Sequence, residues 1–246
     1  MVVCSFLAAP ATAQSAADAE RIQQLRVSAA GGDPEAQFQL SSELSGTGDD
    51  GQRPEADKWL RAAAERGHLQ AQYQLAMSLQ ENCRKAANHA CPEAIVLLQR
   101  AADQGLVKAG YFLGIDYHQG FYVQQDAVRS FYEFQRAAQA GHAGAAKELG
   151  VAYRDGDVVS VDLVESYKWF AFACHRWGLG GAVEGQRAYW RNRDEAAARI
   201  TSAERMEAQS AVHKMLDDLA PRPLPEPGWT LGVFPPPPQP DPCDGF

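Results

Sequence analysis

Four glycines, Gly32, Gly67, Gly105 and Gly141, recur at intervals of 35, 38 and 36 residues, and the same columns of residues follow each of them. Four positions on stand Ala36, Ala71, Ala109 and Ala145. Phe38, Tyr73, Tyr111 and Lys147 come next, then Leu40, Leu75, Leu113 and Leu149. Before the later glycines lie Ala56, Ala94 and Ser130, with Ser166 one period further, and Trp59, Leu97 and Trp169 three residues after their small partner. Glu133 breaks that last column, flanked by Phe131 and Phe134. A period in this range describes a supersecondary unit that cannot bury its apolar face alone and must stack on copies of itself.

Each unit reads as two helices. The first carries Ala-x-aromatic-x-Leu, with apolar residues three and four apart on one buried stripe. The second carries the small residue, the large apolar residue and an alanine pair: Ala62-Ala63, Ala101-Ala102 or Ala137-Ala138. Small side chains let paired helices approach closely. The repeated Gly follows the second helix as its left-handed terminator. Between the helices, Gly120 to Asp126 matches Gly156 to Asp162: Gly ends the first helix, Val123 or Val159 turns inward, and Asp caps the second.

These residues resemble the Sel1-like repeat family, which is tetratricopeptide-like. Leu113-Gly114 with Tyr117, Leu149-Gly150 with Tyr153, Trp59, Trp169 and the alanine pairs carry the likeness over about residues 30–178. The second unit departs from it, since Glu81-Asn82-Cys83 through Cys91-Pro92 contains no Gly-x-Gly-Val loop. The resemblance implies an all-α fold, a right-handed α-solenoid of helix-turn-helix repeats with a helical C-terminal cap and a proline-rich tail.

The flanks follow from the same logic, because terminal units of a stack need a polar outer face. Residues 1–13 read as a signal peptide: a short apolar run from Val2 to Ala9, Pro10, and Ala11-Thr12-Ala13 before Gln14, without a basic leading segment. Residues 14–30 read as an N-terminal capping helix with Ile22 and Leu25 facing the first unit. Four repeats fill 31–178, and capping helices fill 179–220. There Tyr189 and Trp190 are placed to pack on the last unit, and Thr201-Ser202-Ala203-Glu204 is a capping box that starts a helix ending near Leu219. The tail, 221–246, holds ten of the chain's 14 prolines and favours extended polyproline II. Trp229, Leu231, Val233 and Phe234 suit a tail draped on the body.

An exported chain folds under oxidising conditions, and four cysteines follow the signal segment: Cys83, Cys91, Cys174 and Cys243. Four allow three connectivities. Cys83 with Cys91, eight apart around a polar segment, and Cys174 with Cys243 is the favoured set; free buried thiols at Cys174 and Cys243 are the alternative. No Cys-x-x-Cys or Cys-x-x-His spacing occurs, so neither metal nor other cofactor is expected.

The 246 residues carry net charge −8, which opposes nucleic-acid binding, and contain no apolar run long enough to span a membrane. P-loop, Gly-x-Gly-x-x-Gly, Gly-x-Ser-x-Gly and His-Glu-x-x-His motifs are missing. His68 and His142 follow repeat glycines and belong to turns. Cys174 and His175 are neighbours on a helix and point apart, which disfavours a nucleophile–base pair. In tetratricopeptide-like folds the first helices line a concave groove. Counting from each repeat Leu places Glu35, Phe38, Ser42, Ser45, Gln70, Tyr73, Met77 and Gln80 there in the first two units. The last two add Lys108, Tyr111, Ile115, His118, Gly144, Lys147, Val151 and Arg154. The peptide-binding set is taken as Gln70, Tyr73, Met77, Lys108, Tyr111, His118, Lys147, Val151 and Arg154, a locally basic strip suited to an acidic peptide or protein.

The expected function is therefore a non-catalytic scaffold, periplasmic or secreted, that binds another protein on its concave face. Two alternatives accompany it. Some disulfide-rich members of the family are associated with weak hydrolysis of β-lactams, but here only one eight-residue cysteine spacing occurs. The other alternative is a structural module that binds through its proline-rich tail.

Overall fold

The computed structural model describes residues 11–86, 90–177 and 183–219. Among these the chain forms eleven α-helices and no strand. They are α1 (Ala11–Ala30), α2 (Pro34–Gly46), α3 (Arg53–Glu65), α4 (Leu69–Lys85), α5 (Pro92–Asp103), α6 (Val107–Gln119), α7 (Ala127–Gln139), α8 (Ala143–Asp155), α9 (Leu163–Trp177), α10 (Val183–Ala197) and α11 (Ser202–Asp217). A 3₁₀ turn, Asp50–Gln52, leads into α3. The chain divides into two compact units after Leu106.

In the first unit α1 packs on α2, and α2 with α3, α3 with α4 and α4 with α5 follow in chain order. Ala29, Ala36, Leu40, Leu44 and Ala56 form one buried cluster, closed by Ile22 and Leu25 of α1 and by Trp59 of α3. Helix α1 thus turns Ile22 and Leu25 onto this cluster. It begins at Ala11, so the expected cleavage point before Gln14 lies in its first turn.

In the second unit α6, α7, α8 and α9 pack in succession, and α10 and α11 both lie on α9. Phe131, Phe134, Leu149, Tyr167, Trp169, Phe170 and Phe172 build its core, and Val212 of α11 belongs to the same cluster. At the Glu133 exception the flanking Phe131 and Phe134 are the buried large residues. Consecutive packed hairpins in each unit are the solenoid architecture that the repeat implies.

Local chemistry explains where each hairpin bends. After α3, Gly67 takes φ +84; its N–H donates to the Ala64 carbonyl at 3.0 Å and the His68 N–H to that of Ala63 at 3.0 Å, a Schellman ending. Gly141 repeats it with φ +91 and donations to Ala138 (2.8 Å) and, from His142, to Ala137 (3.0 Å). Thus the pairs Ala101-Ala102 and Ala137-Ala138 also supply the carbonyls that their turns close on, whereas the turn at Gly67 closes on Ala63 and Ala64, one residue past the Ala62-Ala63 pair. Asp126 accepts from the Arg129 N–H, and Asp162 from Val164 and Glu165, as the cap reading expected. The Thr201–Glu204 capping box is formed in both directions.

One loop differs from its sequence reading. Glu81, Asn82 and Cys83 are helical, because α4 runs 17 residues where α2, α6 and α8 run 13. No glycine stops the helix there. Glu81 pairs with Arg84 at 2.7 Å and Lys85 at 3.5 Å, and these cations hold its carboxyl down to about 2. Cys83, in the added turn, is disulfide-bonded to Cys91, the residue that precedes α5, so a covalent staple stands where the other units have their glycine loop. Cys174 is also disulfide-bonded. The expected partner Cys243, the tail, the residues before Ala11 and the side chain of Tyr189 lie outside the described residues.

Candidate functional site

The first helices of the second unit, α6 and α8, meet around an aromatic–imidazole stack. His142 precedes α8 with extended backbone, and its Nδ1 accepts the Ala145 N–H at 3.2 Å. The acceptor role needs an unprotonated Nδ1. Burial, with the Lys108 charge adding to it, lowers the imidazole pKa, so the neutral ring is favoured. Tyr111 of α6 stacks on that ring with centroids 4.2 Å apart and leans on Phe134 at 6.0 Å. Gly144 makes this possible, since a Cβ there would lie 3.1 Å from the Tyr111 ring. Burial also raises the Tyr111 pKa, which keeps its phenol protonated.

The same device occurs in the first unit. Phe38 of α2 stacks on His68 at 4.4 Å, and His68 Nδ1 accepts the Ala71 N–H. There Nε2 meets Glu35 Oε2 at 3.0 Å, and this bond lowers the glutamate pKa. Lys108 occupies in α6 the register that Glu35 occupies in α2. A closed pair in one unit is thus an exposed cation in the other, and no carboxylate pairs with Lys108 among the described residues. The histidines do belong to turns, as the sequence suggested. Their role as caps with aromatic lids went unread, although an aromatic six residues after one repeat Gly and a His one residue after the next is the signal.

The remaining expected groove residues divide between the units. In the first, Gln70 is exposed, Tyr73 and Met77 are half-buried, and Gln80 is buried in α4. Burial raises the Tyr73 pKa. In the second, Lys147 Nζ lies 2.6 Å from Glu148 Oε1, and Arg154 binds Asp155 through Nε at 2.7 Å and Nη2 at 3.1 Å. Each basic residue is thereby offset by the acid that follows it in sequence, and the strip is of mixed charge. His118 and Val151 come together at a different feature, a cavity of about 280 Å³ walled by Phe131, Phe134 and Val158 and edged by Glu148 and Asp157.

Candidate chemistry elsewhere resolves into structure. Cys174 is 2% exposed and disulfide-bonded, so the Cys174–His175 pair offers no thiolate. His175 instead packs edge-on to His213 of α11, centroids 5.7 Å apart. Among the described residues no group of three or more His, Cys, Asp or Glu could hold a metal ion, and no helix is long and apolar enough to cross a membrane.

Stacked helical hairpins with glycine-ended second helices and histidine- or aspartate-capped starts define an all-helical repeat protein of the tetratricopeptide-like class. The chain belongs to the Sel1 repeat family: Sel1 repeats match residues 34–68, 69–106, 107–142 and 143–176. It is similar in structure to a Sel1 repeat protein from Oxalobacter formigenes, with TM-score 0.61 and 25% identity over 80% of this chain and 79% of that one. A protective antigen of uropathogenic Escherichia coli strains, displaying an SLR fold, matches with TM-score 0.53 and 20% identity over 87% of this chain and 53% of its own, so this chain spans about half the length of that antigen. No curated protein matches this chain. Sel1 repeat proteins generally act in protein–protein interaction.

Proposed function

We propose that the protein is a non-catalytic interaction scaffold of the bacterial envelope, and that the concave face made by its first helices receives a segment of a partner protein. Family membership supports the interaction role. Three disulfide-bonded cysteines, Cys83 with Cys91 and also Cys174, support an oxidising compartment and hence export. The observation that carries the site is the Tyr111–His142 stack with Lys108 beside it. This is a rigid, half-buried aromatic surface next to a cation that no internal carboxylate neutralises among the described residues. Such a surface takes an apolar residue flanked by an acidic one or a terminal carboxylate. Within the second unit Lys147, Arg154, His118 and Val151 share the first-helix register with it, and Gln70, Tyr73 and Met77 hold the same register in the first unit. Lys147 and Arg154 are half-compensated by Glu148 and Asp155, so Lys108 provides most of the acidic preference.

The test is Lys108→Glu. Retention of a partner from periplasmic extract on the immobilised protein should fall at least about tenfold, by loss of a charge-assisted contact, while the circular dichroism spectrum is unchanged. Equal retention by the folded variant would remove this face from the account.

A further inference from the structure

A second cavity, of about 540 Å³, lies between α9, the last helix of the fourth repeat, and α10 and α11, which follow the repeats. Its wall has two halves. Ala197, Ala198 and Ile200 are aliphatic; Tyr167, Arg193 and Arg205 are polar and, with Asp194, carry a net +1 (two arginines less one aspartate) in a chain of net charge −8. Its size falls within the roughly 300–1,000 Å³ of small-molecule pockets.

Tyr167 is 1% exposed, and its hydroxyl has no hydrogen-bond partner among the described residues. The Gln209 side chain comes near enough to draw the phenol pKa down, but no bond of good geometry closes. Burial outweighs this and raises the pKa, so the hydroxyl keeps its proton and can donate. A buried hydroxyl without a partner is uncommon in folded proteins and calls for a reason. Both guanidiniums act on the same phenol, which puts their charges around it. Arg193 is 6% exposed; its Nε and Nη2 bond Asp194 Oδ1 at 2.9 and 2.6 Å, whereas the aspartate side chain is 62% exposed. Arg193 and Arg205 also make other contacts, so what they contribute is positive potential; the unspent donor is Tyr167.

We propose that this cavity binds an organic carboxylate, its oxygens taking the Tyr167 hydroxyl proton as a hydrogen bond and facing Arg193 and Arg205, and its aliphatic part lying on Ile200, Ala197 and Ala198. The site is independent of the first-helix face. Its carboxylate arrives either on a free small acid or on a peptide side chain, and the two sources share this chemistry.

The experiment is an NMR titration of the full chain with hexanoate, hexanamide, inorganic phosphate and an acetylated, amidated peptide bearing one glutamate. Hexanoate or the peptide should shift Ala197, Ile200 and Arg205 amides saturably; whichever binds tighter identifies the source. Hexanamide and phosphate should bind at least about tenfold more weakly, lacking the charge and the aliphatic part respectively. Tyr167→Phe separates ligand recognition from folding. It removes an unpartnered buried oxygen, so its Tm should be equal or higher, yet its hexanoate affinity should fall by about tenfold. Ile200→Ser, on the aliphatic half, should weaken hexanoate while leaving phosphate unchanged. No saturable shift with either carboxylate, equal binding of hexanamide or phosphate, or full affinity in a folded Tyr167→Phe would each overturn the proposal.

Discussion

His68 and His142 cap equivalent helices with the same ring nitrogen and are covered by equivalent aromatics, Phe38 and Tyr111. They differ in one neighbour: Glu35 at the first, Lys108 at the second. For His142 the consequence is a pH dependence whose sign can be worked out. Its folded pKa lies below the ordinary 6.5, because burial and Lys108 disfavour the cation. The unfolded chain therefore binds the proton first, and stability is lost as pH falls below 6.5 towards the folded value. His142→Asn keeps a side-chain cap but cannot titrate. Urea midpoints from pH 7.5 to 5 should fall less steeply in the variant than in the parent; parallel curves would contradict the assignment. His142→Ala, with no cap, should cost about 1 kcal/mol at pH 7. At this scale the sequence was legible where a residue's role is fixed by local backbone, as for Asp126, Asp162 and Thr201. It was less so where the role depends on which side chains pair in the folded chain. Lys147 and Arg154 are the clearest case: the adjacent Glu148 and Asp155 were in plain sight, but whether neighbouring side chains pair depends on rotamers that a residue pattern does not specify.

Within each hairpin of the second unit, contact distance is set by small residues. At Gly150 an added Cβ would stand 2.7 Å from the ring of Phe170, which is fully buried, and at Gly114 it would stand 2.6 Å from that of Phe134. Ser130 and Ser166 lock the same crossings, their Oγ atoms donating to the carbonyls of Gly114 and Gly150 at 2.8 Å. The column Ala56, Ala94, Ser130, Ser166 is thus small for room and, in its last two members, hydroxylated for a bond. Alanine in place of a mid-helix glycine ordinarily stabilises by roughly 0.5–1 kcal/mol. Gly150→Ala should instead destabilise by about 2 kcal/mol through overpacking against Phe170, and Ser166→Ala by about 1 kcal/mol through the lost bond. Chemical denaturation measures both, and a Gly150→Ala protein as stable as its parent would refute the close approach. These crossings were readable because their constraint repeats at a fixed period. The extension of α4 through Lys85 was not, since a missing stop signal leaves a helix end to pairings such as Glu81 with Arg84 and to the Cys83–Cys91 staple.

Across the whole molecule, the repeats account for residues 34–176, and their hairpins recur on both sides of the division after Leu106. Periodicity made this architecture visible before any coordinate, because each buried column announces itself several times. The functional surface was visible only as a register: counting from the repeat leucines marks the first-helix positions, while charge pairing and burial at each emerge from packing. The Tyr167 cavity gave no such sign, as α9 of the last repeat meets there α10 and α11, which the repeat pattern does not reach. The claim on which the functional reading turns is that partners meet the first helices rather than the second. A photo-crosslinking amino acid placed singly at Gln70 and Lys108, on first helices, and at Val96 and Tyr132, exposed on the second helices α5 and α7, tests it directly in periplasmic extract. The account predicts one discrete adduct from positions 70 and 108 and none from 96 and 132; adducts from 96 or 132 alone would contradict it.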